Sequence, residues 1–229
     1  MPSYIDLTED PGRHIPELQN RFKRFWDNLI SIPETPARQG SIVAEVREED
    51  ENTLTVSPES NPLRLKGLKS GTIDAWVDFD KSVRGFEKNE GVGYEIERST
   101  VKVQYLRREN CDCDERELMR PVHGVRFEFE DFPDRNHPVF HAHFELKSIK
   151  PQTLRGQYTQ EVVNPIIELP DSPRIPSAPI DFTGAVYMIL HDHKPTLLEE
   201  ETGWPASTHA AIRKIPHFPN QCFEMGSDG

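Results

Sequence analysis

Cysteine is scarce: the 229-residue chain has 3, and two of them, Cys111 and Cys113, stand one residue apart. That number cannot build a disulfide framework, and the Cys-Asp-Cys-Asp run lacks the second cysteine pair of a zinc knuckle. The expectation is a structural loop in a reducing, cytoplasmic setting. Long apolar runs are also missing. The longest clean one is Ala185 to Leu190, far below the roughly 20 residues of a membrane-spanning helix. Met1 to Asp10 holds no basic stretch followed by an apolar one, so neither a signal peptide nor membrane contact is expected. A glycine-rich phosphate loop and a Gly-x-Ser-x-Gly elbow are absent too, which sets aside P-loop nucleotide hydrolysis and serine hydrolase chemistry.

Basic residues are the minority charge, 27 Lys and Arg against 39 Asp and Glu, for a net charge of −12. Such a field repels polyanions over most of the surface. Residues 61 to 110 are the exception, with 10 basic residues against 8 acidic ones. Single-stranded nucleic acid is therefore expected only at a local site.

What the chain does have is enough to fold. Hydrophobic residues make up 35% and include 12 Phe, above the range of disordered chains. Twenty prolines against 13 glycines stiffen the connections. Ile15, Leu18, Phe22, Trp26, Leu29 and Ile30 recur at helical spacing and predict an amphipathic helix over 16–32, ended by Pro33. The acidic stretch Glu45 to Asn52 reads as an exposed loop. Period-two alternation then predicts antiparallel strands around Leu63–Leu65, Ile73–Asp78 and Val101–Tyr105, followed by Val122–Glu130 and Val139–Ser148, a pair that fits a hairpin.

Five prolines from Pro165 to Pro179 predict an extended strap that stays out of any central strand. Phe182 to His193 fits a buried helix with Asp181 as its N-cap and His191 and His193 at its C-terminal end. A short helix is expected over Ser207–Lys214. The resulting fold class is α+β: an antiparallel sheet of about five strands, with an N-terminal helix and one or two C-terminal helices on its apolar face. A single domain would cover 1–217, with a polar tail over 218–229.

The segment richest in chemistry is Val139 to Ser148. In a strand, Phe140, Ala142, Phe144 and Leu146 share one side, expected to face the core, and His141, His143, Glu145 and Lys147 share the other, expected to be open to water. The same rule sends Val125, Phe127 and Phe129 to the core side, and Arg126 and Glu128 to the polar side. Pairing of the two strands would bring Glu128 close to His141.

Two imidazoles two residues apart on a strand can converge on one metal ion, zinc or manganese, with Glu145 as third ligand. Without metal, His141, His143, Glu128 and Lys147 form an acid–base set suited to phosphodiester cleavage, and Arg126 and Arg174 are candidates to bind the substrate's phosphate. Pro133-Asp134 with Glu145-Leu146-Lys147 resembles in spelling the Pro-Asp…Glu-x-Lys nuclease motif. A turn position for Asp134 would leave it about 20 Å from Glu145, so Glu128 or Asp78 would have to take its place. The function expected from these residues is a small intracellular hydrolase, a phosphodiesterase or nuclease. The other expectation is a non-catalytic subunit that recognises a protein partner through its polar sheet face.

Overall fold

The computed structural model describes residues 4–7, 9–31, 44–48, 53–58, 62–68, 71–88, 91–109, 118–130, 140–145, 175–176 and 180–195, together with residues 211, 216 and 218. Among them the elements run β1 (Tyr4–Ile5), α1 (Pro11–Ser31), β2 (Ala44–Glu48), β3 (Thr53–Pro58), β4 (Leu63–Leu68), β5 (Ile73–Lys88), β6 (Gly91–Glu109), β7 (Leu118–Glu130), β8 (Phe140–Glu145), β9 (Ile175–Pro176) and α2 (Phe182–His193). The strands join one antiparallel sheet in the order β2-β3-β5-β6-β7-β8-β9, and β1 and β4 also pair with β5.

The sheet is organised by β5 and β6, which pair along nearly their whole length from Ile73↔Arg107 to Lys88↔Gly91. Gly91 has φ 94, a conformation that costs little only without a Cβ. The other edge of β5 is shared by three shorter strands: β4 along Ile73–Val77, β3 along Lys81–Arg84 and β1 along Gly85–Phe86. At Gly85 the close approach is explicit, because a Cβ there would sit 2.4 Å from Leu7 Cδ2.

Strand alternation sorts side chains onto two faces. Ala75, Val77, Phe79 and Val83 of β5, Val101 and Val103 of β6, Val125 and Phe127 of β7 and Ala142 of β8 join one core. Leu18, Phe22, Phe25, Trp26 and Leu29 of α1 close over it with Phe182, Ala185, Val186, Ile189 and Leu190 of α2. Phe79 lies at the meeting point, 5.7 Å from the Phe22 ring and 4.4 Å from that of Phe182. Tyr94 ties α1 to β6, its hydroxyl donating to Glu17 Oε2 at 3.0 Å and lying 2.9 Å from His14 Nδ1.

One charge sits within this apolar face. Lys81 is fully buried and its Nζ lies 3.1 Å from Asp181 Oδ2. Asp181 is the N-cap of α2, and its Oδ1 accepts from Gly184 N at 2.8 Å and from Thr183 Oγ1 at 2.7 Å. Burial alone would raise the Asp181 carboxyl, but the Lys81 charge and the two hydrogen bonds outweigh it and hold the group below its ordinary 3.8.

The structure departs from the sequence expectations in definite places. The sheet has nine strands among the described residues, not about five. Glu45–Glu48 is not loop but part of β2, paired with β3. The helix expected from residue 16 begins at Pro11, a residue suited to a first helical turn. Pro16 is accommodated because its missing N–H would have bonded the carbonyl of exposed Gly12, where water can serve instead. Of the proline strap, Ile175–Pro176 pairs with β8 at the end of the described strand order, an edge position that suits Pro176, which lacks an N–H. The helix expected over Ser207–Lys214 lies outside the described residues except for Ala211, which is helical and buried. No described helix is long and apolar enough to cross a membrane.

Truncating one partner of a buried pair leaves the other charge uncompensated. Lys81→Met should therefore cost about 3–5 kcal/mol in urea unfolding at neutral pH. The depressed Asp181 carboxyl contributes stability that is fully present above its unfolded pKa near 3.8 and is lost as pH falls through the lower folded value. The stability gap between wild type and Asp181→Asn should close in that acid range; a pH-independent gap would show that the ion pair does not stabilise the fold.

Candidate metal centre

β7 and β8 pair with Glu128 directly opposite His141 and Arg126 opposite His143. Direct partners have Cβ atoms about 4.5–5.5 Å apart, and His141 and His143 share one side of β8. Glu128 therefore reaches both: its Oε2 accepts from His141 Nε2 at 2.8 Å and from His143 Nε2 at 3.0 Å. The other oxygen, Oε1, lies 3.1 Å from Arg126 Nε. One ligand atom from each of Glu128, His141 and His143 lies within 4.8 Å of the others, a donor set suited to a divalent transition metal.

Both histidines are buried, His141 at 3% and His143 at 5% exposure, whereas Phe144 is 43% exposed. This reverses the expected contrast between a wet histidine row and a core phenylalanine row. Phe144 does lie on the helix-facing side, opposite Val125, but near the end of a short strand, where its ring stacks 5.7 Å from that of His123. Alternation assigns a side of the sheet; it does not say how far cover extends along it.

Burial shapes the protonation of the cluster. Taken alone it would raise the Glu128 carboxyl, but the His141 hydrogen bond and the charges of Arg126 and the imidazoles outweigh it and hold the group below its ordinary 4.5. Burial pushes the His143 imidazole below its ordinary 6.5, against the pull of Glu128. An ionised carboxylate and a neutral imidazole are the forms that ligate metal.

The same face continues across the sheet. His143 is opposite Arg126, Arg126 opposite Lys102, and Lys102 opposite Asp78. Burial raises the Asp78 carboxyl, partly offset by Lys102 and by the Phe79 N–H, with Asp80 adding to the rise. Trp76, two residues before Asp78, is 6% exposed, and its indole Nε1 is buried with no hydrogen-bond acceptor among the described residues. An unpaired donor of this kind costs about 1–3 kcal/mol. The ring is nonetheless firmly held: the Arg64 guanidinium lies 5.1 Å from its centroid and binds Asp74 through Nε at 2.9 Å and Nη2 at 2.6 Å.

Of the residues singled out from sequence, His141, His143, Glu128 and Arg126 come together. Glu145 is in register with Gly124, but its side chain lies outside the described residues, as do Lys147 and Arg174; among the described residues, Glu128 is a carboxylate that joins the imidazoles. His191 and His193 do not join them. His193 packs edge-on against Tyr105 at 5.7 Å, and Tyr105 stands on the helix-facing side, opposite Ala75, so the sheet separates it from His141. Sequence reasoning missed Lys102 and Trp76 and reached Asp78 only as a substitute acid. Their alternation was visible, but the register that aligns them with β7 and β8 was not.

Two stability outcomes follow. His141→Ala, which removes a buried partner of Glu128, should cost about 1–3 kcal/mol, and more than Phe144→Ala; urea denaturation of both variants checks the order. Asp78 has a raised folded pKa, so its favourable contribution is complete below the unfolded value of 3.8 and declines as pH rises through the folded one. Asp78→Asn should be more stable than wild type at neutral pH, with the difference vanishing in acid; equal stability at both pH values would contradict this.

No protein-family model matches the chain, and no curated protein or solved structure matches it either.

Proposed function

We propose that the protein binds one divalent transition-metal ion, zinc or manganese, through Glu128, His141 and His143, and hydrolyses phosphodiesters of single-stranded nucleic acid there. The observation that carries this reading is the position of Glu128 Oε2 within hydrogen-bond distance of both imidazole Nε2 atoms. Three donors on two paired strands leave coordination positions for water and substrate. A bound ion would supply Lewis acidity and a water of lowered pKa.

The chain's own residues do the remaining work. Glu128 holds the two imidazoles together, and Arg126 holds Glu128 through its second oxygen. Arg126 and Lys102, neighbours on the same face, set local positive charge against the net −12 of the chain and favour an anionic substrate. A bound ion would take the place of protons between the imidazoles and Glu128, so affinity should fall as pH is lowered.

Protein purified without chelator should carry close to one transition metal per chain by elemental analysis. Glu128→Gln, which keeps the volume and removes the charge, should weaken zinc or manganese binding by more than the roughly 10–100-fold typical of losing an outer-shell partner. Labelled single-stranded oligonucleotides should be cleaved by wild type, with cleavage abolished by chelator and by His143→Ala. No metal on titration and no cleavage would sink the reading and favour a docking role for the polar face. Cleavage that survives replacement of both histidines would place the chemistry elsewhere in the chain.

A further inference from the structure

The polar face has a part that metal binding and hydrolysis do not use. Trp76 is more than nine-tenths buried, its ring lies beside the Arg64 guanidinium, and its indole N–H has no acceptor among the described residues. Buried donors are nearly always satisfied by protein, water or ligand. Trp76 also stands apart from the main core, which is built on the opposite side of β5.

Register connects it to the metal centre. Trp76 is opposite Gln104, which makes Lys102 its diagonal neighbour, about 7–8 Å away. Lys102 is opposite Arg126, which is opposite His143. With strands about 4.8 Å apart, Arg126 and Lys102 stand roughly 5 and 10 Å from the His143 strand, and Trp76 lies beyond them. A single phosphate at the metal cannot span that row, but an extended oligoanion can.

We propose that Trp76 and Lys102 form a remote binding subsite for a single-stranded oligonucleotide, with the Trp76 indole N–H donating to a base or sugar oxygen and Lys102 facing a phosphate next to the scissile one. The proposal rests on the metal-dependent hydrolase reading for the position of the scissile phosphate. Neither residue touches the reacting atoms: both are substrate-binding residues, and their effect grows with substrate length.

The test compares two probes on the metal-loaded protein. A short fluorescent oligothymidylate reaches the whole row, whereas bis(p-nitrophenyl) phosphate reaches only the metal. Trp76→Phe keeps an aromatic ring beside Arg64 and deletes the unpaired donor. It should leave metal content, unfolding midpoint and KM for the small phosphodiester unchanged, and weaken oligothymidylate binding, read by fluorescence anisotropy, by about tenfold, the loss of one hydrogen bond. Lys102→Ala should weaken the same binding and flatten its salt dependence.

Wild-type oligothymidylate affinity in Trp76→Phe overturns the proposal, as does an equal loss on both probes, which would mark a role in the metal centre itself. A fall in unfolding midpoint with unchanged binding also overturns it, because the indole would then be structural. These outcomes separate from failure of the hydrolase reading, which shows as absent metal and absent turnover of both probes in wild type.

Discussion

The buried pair of Lys81 and Asp181 is the constraint on which the arrangement of layers depends. An ammonium group placed 5.5 Å from the Phe22 centroid and 5.8 Å from that of Phe79 is tolerable only where its counter-charge is held in place. Asp181 is held by capping α2, so the helix can start in only one position over β5. From that start Phe182 falls on Phe79, and the helix runs on until His193 meets Tyr105 of β6. Apolar surfaces alone would allow α2 to slide along the sheet; a charge that must meet its partner does not.

Fixing β5 from the helix side also fixes its reverse side, because successive residues point to opposite faces. Phe79 and Lys81 face the helices, and Trp76 and Asp78 face away. Across β6 and β7 the same alternation carries the polar side to Glu128 and the paired histidines. The cluster of Glu128, His141 and His143 is thus built on strands, whose backbones hold side chains in place more firmly than loops do. Glu128 divides its two oxygens between Arg126 and the imidazoles, so orientation of the carboxylate and assembly of the ligands are one event.

Much of this was legible in the chain. The period-two runs around Val125–Phe129 and Phe140–Ala142 led to a hairpin with Glu128 next to His141, and Asp181 before an apolar segment marked a helix start. Three things were not legible. Burial of His141 and His143 depends on neighbours that alternation does not name. The place of Lys102 and Trp76 on the same face as the histidine pair depends on registers β5–β6 and β6–β7, each containing a bulge that no composition signal announces. β2 was hidden because its acidic residues resemble a loop, although Leu54 and Val56 of its partner β3 alternate as a strand should. His191 and His193 fall at the end of α2, as their place after an apolar run implied, but which side of the sheet that end meets was not legible.

The tiling of one edge of β5 by β4, β3 and β1 has a consequence for how the chain acquires its shape. Strands β5 to β8 form a meander in which each pairs with the next in sequence, so the Glu128, His141 and His143 cluster is assembled from short-range contacts that form early. The pieces along the outer edge arise before β5 in the chain, and Tyr4 must close a loop of about 80 residues to reach Phe86. During synthesis these strands emerge before the β5 edge they share, and a nascent chain halted before residue 73 would present their unfilled edges to other nascent chains. The centre's own strands, made later and paired as they appear, are spared that interval.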